Sequence, residues 1–206
     1  WTIISIIICF GIPIGGFIFI QSKKQMVTRP FLAGALSFFL SQVVVRIPIF
    51  NLVLPYMMWY NKLSLNPWLY GLFLGFTAGL FEETGRFAAF KTVLRKYRGN
   101  DVNALMYGAG HGGFEAFLVL FFTMLSNIFV SILINANMMG VLEGPVTDDI
   151  ARMQAISNTA KMLSETPSLS FLAGPVERFA AVAVHISLSV LVWFAAKKGG
   201  VHVWFY

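Results

Sequence analysis

Residues 103–136 read NALMYGAGHGGFEAFLVLFFTMLSNIFVSILINA, an apolar run that contains one His and one Glu. As a single helix this run would be about 50 Å long, whereas the hydrocarbon core of a bilayer is about 30 Å thick. Its first part holds Gly108, Gly110, Gly112 and Gly113, so we expect close helix packing or a local break there. The run predicts a membrane-spanning helix.

The composition extends this prediction to the whole chain. Of 206 residues, 57% are hydrophobic and 12% are charged, against about 45–50% and about 25% in soluble domains. This balance excludes a disordered protein, a soluble enzyme and a nucleic-acid-binding protein. The net charge of +6 fits Lys and Arg that flank membrane spans. The single Cys9 excludes a disulfide framework and a thiolate metal cluster. We therefore predict an all-α, polytopic transmembrane bundle, one domain over residues 1–206, with membrane lipid as its surroundings.

Five spans are predicted, at residues 1–20, 31–45, 67–94, 103–136 and 170–196. Residues 49–60 are apolar but short and contain Pro55, which predicts a broken helix or an interfacial segment. Residue Thr147 can cap a following amphipathic surface helix, whose apolar stripe is Ile150, Met153, Ile156, Ala160 and Leu163. The chain begins at Trp1 and stops at Tyr206 inside another apolar run, so we expect it to be incomplete at one or both ends.

Basic and acidic connections alternate along the chain. Lys and Arg cluster at residues 23–29, 91–98 and 197–198, whereas residues 143–165 carry four acids against two bases. By the positive-inside tendency, the basic connections face the cytoplasm. The pattern predicts a multi-pass protein of the plasma membrane, of the bacterial inner-membrane type.

Ionisable residues lie inside three of the predicted spans. A charge in a span costs at least about 2.5–3.5 kcal/mol on insertion scales and therefore indicates function. Glu82 lies nine residues before Lys91, His111 ten after Asp101 and His185 twelve before Lys197. At 1.5 Å per residue these are roughly 14, 15 and 18 Å from the cytoplasmic ends. Three helices thus bring polar groups to one depth, which predicts one shared polar cavity.

Spacing within the helices predicts their partners. Glu82 and Arg86 are four residues apart, so Arg86 can pair with Glu82 and orient it. His111 and Glu115 are also four apart, which suits two ligands of one metal or a His–carboxylate pair. His185 can complete either arrangement. The expected ligands of a Zn²⁺ ion are then His111, Glu115, His185 and Glu82, although Glu82 and His111 can also activate water without a metal.

The motifs Glu82-Glu83-Thr-Gly-Arg86, Gly-His111-Gly-Gly-Phe-Glu115-Ala and Glu177-Arg178 with His185 resemble the YhfC family of bacterial intramembrane metalloproteases. That family is distantly related to the CAAX-protease and bacteriocin-processing group. The resemblance implies a membrane endopeptidase whose catalytic residues are Glu82, Glu83, Arg86, His111 and His185. Glu82 would be the base that activates water, and Arg86 would orient Glu82. His111 would bind metal or water, and His185 would be a second ligand or an oxyanion donor.

We therefore predict an endopeptidase that cuts membrane-associated, prenyl- or peptide-like substrates near the cytoplasmic leaflet. Two alternatives use the same residues. A transporter or channel would use the Glu/His cluster to relay protons or bind a cation. A non-catalytic membrane subunit would use the buried pairs only to specify helix packing.

Overall fold

The computed structural model describes residues 2–24, 28–136, 138 and 150–198, and this part of the chain is helical between its turns, without strands. The predicted all-α class is confirmed. The α-helices in these residues are α1 (Thr2–Lys24), α2 (Thr28–Phe38), α3 (Met58–Ser64), α4 (Pro67–Lys91), α5 (Val102–Asn135), α6 (Ile150–Glu165) and α7 (Ala173–Lys198).

The chain stays helical beyond the end of α2 at Phe38. Its turns first become wider, as in a π-helix, and then tighter, as in a 3₁₀-helix. Two π-helical segments, Phe39–Arg46 and Ile49–Val53, are followed by a 3₁₀ turn over Leu54–Tyr56. The helical path breaks at Met57, whose backbone is extended, and a new helix starts at Met58. Of the two expectations for residues 49–60, the broken helix is therefore confirmed, although its first part continues the preceding span to Tyr56. Pro48 lacks the N–H of a regular α-helical bond, and the change of helical pitch accommodates this loss without stopping the helix.

Three helical stretches in the described residues are long and apolar enough to cross a membrane, namely Thr28–Tyr56, Val102–Asn135 and Leu169–Lys198. Helix α1 is apolar over the shorter stretch Ile3–Phe19. Helix α4 carries ionisable residues along its length, yet Leu72 and Phe76 on it are each 71% exposed, as expected of lipid-facing side chains. The predicted number of five crossings and the orientation of the connections stay predictions.

The glycines of α5 produce close packing rather than a break, because the helix is continuous from Val102 to Asn135. A Cβ added to Gly110 would overlap the carbonyl oxygen of Phe31 on α2, and one added to Gly34 would overlap that of Tyr107 on α5. A Cβ on Gly112 would lie 3.0 Å from the Cβ of His185 on α7. Small residues thus allow α5 to approach both neighbours at backbone distance.

Helices α4 and α6 differ in whether their N-terminal caps lie among the described residues. Asn66 caps α4, since its side chain accepts hydrogen bonds from the amides of Trp68 and Leu69 at 3.1 and 3.2 Å. Helix α6 exists where an amphipathic helix was predicted, but its expected cap Thr147 lies outside the described residues. The surface position of α6 stays a prediction.

The chain divides into two compact units, which we describe separately. The first comprises Trp1–Ile12 and Ala116–Phe179, and the second Pro13–Glu115 and Ala180–Tyr206. The second unit has an aromatic core in which the ring of Phe90 lies 4.5 Å from that of Tyr107 and 5.0 Å from that of Trp193. Because these residues belong to α4, α5 and α7, the core fixes the three helices that carry the candidate site.

Candidate functional site

The second unit brings Glu82, His111 and His185 together from α4, α5 and α7. Oε2 of Glu82 lies 3.5 Å from Nε2 of His111 and 3.7 Å from Nδ1 of His185. One donor atom of each residue lies within 4.8 Å of the others, and the two imidazole centroids are 5.0 Å apart. The sequence prediction that these side chains converge at one depth is therefore met by the geometry.

The side chain of His111 is fully buried, and its described packing contacts are with aromatic rings. Its imidazole makes an edge contact with Phe38 at 5.4 Å and lies 6.0 Å from the ring of Tyr107. Within the described part of the chain, neither Nδ1 nor Nε2 of His111 has a hydrogen-bond partner. A buried polar atom without a partner is costly unless a ligand uses it, so His111 has nitrogen donors available for an ion.

His185 is bound on both sides of its ring. Nη2 of Arg86 lies 3.1 Å from Nδ1, and Oε2 of Glu115 lies 2.5 Å from Nε2. Because a guanidinium only donates hydrogen bonds, Nδ1 must accept and the ring proton must lie on Nε2, the nitrogen in ion-pair contact with Glu115. The predicted pairing of Glu115 with His111 is therefore wrong, since the carboxylate contacts His185 on α7 instead.

The predicted pair of Arg86 with Glu82 is also replaced. Arg86 is fully buried, and its Nη1 pairs with Glu83 one helical turn away while its Nη2 contacts His185. These two partners use Nη1 and Nη2 of the guanidinium, and the carboxylate of Glu82 lies toward the imidazoles. The four-residue spacing allowed an Arg86–Glu82 pair, but an imidazole from another helix competes successfully for the arginine.

Two polar residues of the site were not predicted from the sequence. Gln42, on the π-helical segment after α2, donates from Nε2 to Oε1 of Glu82 at 2.9 Å. Arg46 then donates from Nη1 to Oε1 of Gln42 at 3.2 Å. Their signal in the sequence was an amide and a guanidinium four residues apart in an otherwise apolar run. The predicted span over residues 31–45 ends just before Arg46.

The remaining motif residues, Glu177 and Arg178, pair with each other in the first unit. The Nε of Arg178 donates to Oε2 of Glu177 at 2.5 Å. Glu177 is mostly exposed, with 59% of its side chain accessible. The contact is one between neighbours in sequence at the start of α7, as expected for charges near a helix end.

The donor set fits a metal ion. Two imidazoles and one carboxylate are the protein ligands of one group of catalytic zinc sites. The nitrogens of His111 lack other partners, Glu82 is hydrogen-bonded through its second oxygen, and His185 is oriented by Glu115, as ligands of a metal commonly are. Glu115 was predicted as a further ligand, but the structure places it at the nitrogen of His185 that faces away from this group. The metal ligands would be His111, His185 and Glu82.

Comparisons with known proteins agree with this geometry. Residues 8–206 match the family model described as YhfC intramembrane metalloprotease. The chain is 31% identical over 191 residues to a protein of Bacillus subtilis (strain 168) described as uncharacterized membrane protein YhfC, covering 93% of this chain and 72% of that one. No solved structure matches the chain. The match over nearly the whole length, together with the converging Glu and His residues, shows that the chain belongs to the YhfC family.

Proposed function

We propose that the protein is a metal-dependent endopeptidase of the plasma membrane that hydrolyses peptide bonds of membrane-associated substrates. The observation that carries the proposal is the group formed by Glu82, His111 and His185, whose donor atoms lie within 4.8 Å of one another on three helices. Such a group is expensive to bury among apolar spans and indicates a functional site. The description of the matching family as an intramembrane metalloprotease supports the same reaction.

A Zn²⁺ ion held by His111, His185 and Glu82 would lower the pKa of water to about 7 and polarise a substrate carbonyl. The side chains supply the remaining requirements. Oε2 of Glu82 faces both imidazoles and would be the ligand atom, so we assign the proton of the attacking water to the other oxygen of the carboxylate, Oε1. That proton then passes to the amine that leaves when the peptide C–N bond breaks.

Arg86 and Glu115 hold the site in place. Arg86 contacts Nδ1 of His185 and pairs with Glu83 on its own helix, while Glu115 forms an ion-pair contact with Nε2. Their positions fix the imidazole ring against rotation. Because Nδ1 is the nitrogen that faces Glu82, use of this atom as a ligand requires Arg86 to give up its hydrogen bond to His185.

The test is cleavage of synthetic transmembrane peptides, labelled with a fluorophore and a quencher, in liposomes containing the purified protein. Glu82→Gln removes the carboxylate while keeping its size, and it should lower the rate at least about 10²-fold, the lower end for loss of a general base. Glu165→Gln is the matched control, because Glu165 is an exposed carboxylate on α6. We expect this variant to cleave at the wild-type rate.

Two results would contradict the proposal. Cleavage by Glu82→Gln at the wild-type rate would remove Glu82 from the reaction. A wild-type protein that cleaves no peptide of the set but moves protons or a cation across the liposome membrane, with the movement lost in Glu82→Gln, would favour the transporter alternative.

A further inference from the structure

We propose that Gln42 and Arg46 are positioning residues that hold the carboxylate of Glu82 toward the two imidazoles. The inference rests on the proposed function, because it assigns Glu82 a role at that site. Neither residue belongs to the motifs that predicted the site. Gln42 is buried and Arg46 is partly buried, and both precede Glu82 in sequence on another helical stretch.

The amide of Gln42 has one orientation that its neighbours allow. Both hydrogens of its NH₂ group face acceptors on α4, which are the carbonyl of Ala78 at 3.1 Å and Oε1 of Glu82 at 2.9 Å. The reversed amide would place its oxygen against these two acceptors and its NH₂ group against a guanidinium. Gln42 therefore fixes Oε1 of Glu82 and leaves Oε2 directed at the imidazoles.

Arg46 fixes this amide in turn. Its Nη1 donates to Oε1 of Gln42, and its Nη2 donates to the carbonyl of Leu74 at 2.9 Å. The guanidinium carbon also lies 4.5 Å from the centre of the Phe50 ring, at cation–π distance. Among the described contacts, the hydrogen-bonded path from Arg46 to Glu82 therefore runs through Gln42.

The backbone that carries the two residues is itself unusual. Gln42 and Arg46 both lie in the π-helical segment Phe39–Arg46. π-Helical turns are rare and frequently occur at functional sites. In this protein the π-helical segment presents an amide and a guanidinium to the same face of α4, one helical turn apart along that helix.

The experiment makes two measurements on each purified protein. The first is its affinity for ZnCl₂. The second is the infrared difference spectrum between the protein and its Glu82→Gln counterpart, which isolates the carboxylate bands of Glu82. Gln42→Met keeps the size of the side chain and removes the amide. Arg46→Leu removes the anchor, and Arg46→Lys keeps one charged donor. Ser41→Ala is the control, because Ser41 is the buried neighbour of Gln42 and bonds only the carbonyl of Phe38 among the described contacts.

Loss of a residue that orients a metal ligand typically weakens affinity about 10- to 100-fold. We expect this loss in Gln42→Met, a similar loss in Arg46→Leu, partial recovery in Arg46→Lys and none in Ser41→Ala. The double variant should lose less affinity than the sum of the two single losses, because the hydrogen-bonded path from Arg46 to Glu82 runs through the amide. The carboxylate bands of Glu82 should shift in the same order of variants.

Unchanged zinc affinity and unchanged Glu82 bands in Gln42→Met would overturn the inference, as would additive losses in the double variant. If Gln42→Met does not fold, Gln42→Asn withdraws the amide by one methylene and provides the same comparison. A wild-type protein that neither binds zinc nor cleaves peptides would contradict the proposed function alone. In that case the infrared bands, which need neither metal nor substrate, decide the positioning role.

Discussion

Nη2 of Arg86 on α4 lies 3.1 Å from Nδ1 of His185 on α7, in a contact that spans 99 residues of sequence. It links an ion pair within α4 to an imidazole that is in ion-pair contact with Glu115 on α5. The polar centre of the second unit is therefore one connected network across three helices. The stability of such a network depends on every member. If one side chain is lost, its partner remains as an uncompensated charge in an apolar environment.

The first prediction concerns Arg86. Arg86→Gln removes the fully buried guanidinium that pairs with Glu83 and contacts His185, and it should destabilise the protein by about 3 kcal/mol, the lower end for breaking a buried pair. Thermal unfolding in detergent measures the change. The double variant Arg86→Gln/Glu83→Gln should recover part of the lost stability, because it also removes the carboxylate that Arg86 neutralises. A single variant as stable as the wild type would show that the pair carries no stability.

The second prediction tests the close helix contacts. Gly110→Ala and Gly34→Ala should each lower the unfolding temperature, because the added methyl group would overlap a backbone carbonyl on the facing helix. Gly75→Ala is the control, since nothing lies within 4 Å of its added Cβ on α4. In that open position Ala should be neutral or stabilising by about 0.5–1 kcal/mol. Equal effects at all three positions would contradict the close approach of α2 and α5.

These contacts show which parts of the site follow from sequence. The rise of 1.5 Å per residue gives depth along a helix, and this was enough to predict that Glu82, His111 and His185 meet. Depth does not give the direction in which a side chain points. For this reason the two four-residue spacings did not predict that Glu115 and Arg86 both contact His185 on α7.

The fold was predictable to a similar extent. Apolar runs predicted the long helices, including the whole of α5. The turns around Pro48 were not predicted, because apolar length does not distinguish an α-helix from a π-helix and the choice depends on packing against α4. Gln42 and Arg46 reach Glu82 through that local change of pitch, so the sequence offered no pattern that joined them to the site.

The third prediction is a pH dependence outside the spans. Asp101, before α5, accepts hydrogen bonds from Nζ of Lys197 at 2.5 Å and from Nε1 of Trp193 at 2.9 Å. These bonds, that of Lys197 first, lower the pKa of Asp101 from its usual value of 3.8. A carboxyl whose pKa is lower in the folded state stabilises it above the unfolded pKa, and this stability is lost as pH falls through the folded pKa.

Asp101→Asn should therefore remove part of the acid sensitivity. The difference in unfolding temperature between wild type and Asp101→Asn should be largest above pH 5 and should shrink as the pH falls below 3.8. The measurement is thermal unfolding of both proteins in the same detergent across this range. A difference that stays constant with pH would mean that the ionised carboxylate does not contribute.

The fourth prediction concerns orientation in the membrane. In a Cys9→Ser background, Ser22→Cys and Asn100→Cys should react with a membrane-impermeant thiol reagent from the cytoplasmic side, and Ser157→Cys from the outside. The reason is the excess of Lys and Arg in the connections near the first two positions. Labelling of intact cells and of inverted vesicles provides the comparison. The opposite pattern would place the candidate site nearer the outer leaflet.

The fifth prediction measures zinc per chain after the purified protein has been stripped with a chelator, reloaded with ZnCl₂ and freed of excess ion. His111 is the ligand with no other polar partner among the described residues, so its loss should act on the ion more than on packing. We predict about one zinc per wild-type chain and well under half of that in His111→Ala, in line with three-ligand catalytic sites. A wild-type chain that retains no zinc, or equal zinc in both proteins, would contradict a metal centre built on Glu82, His111 and His185.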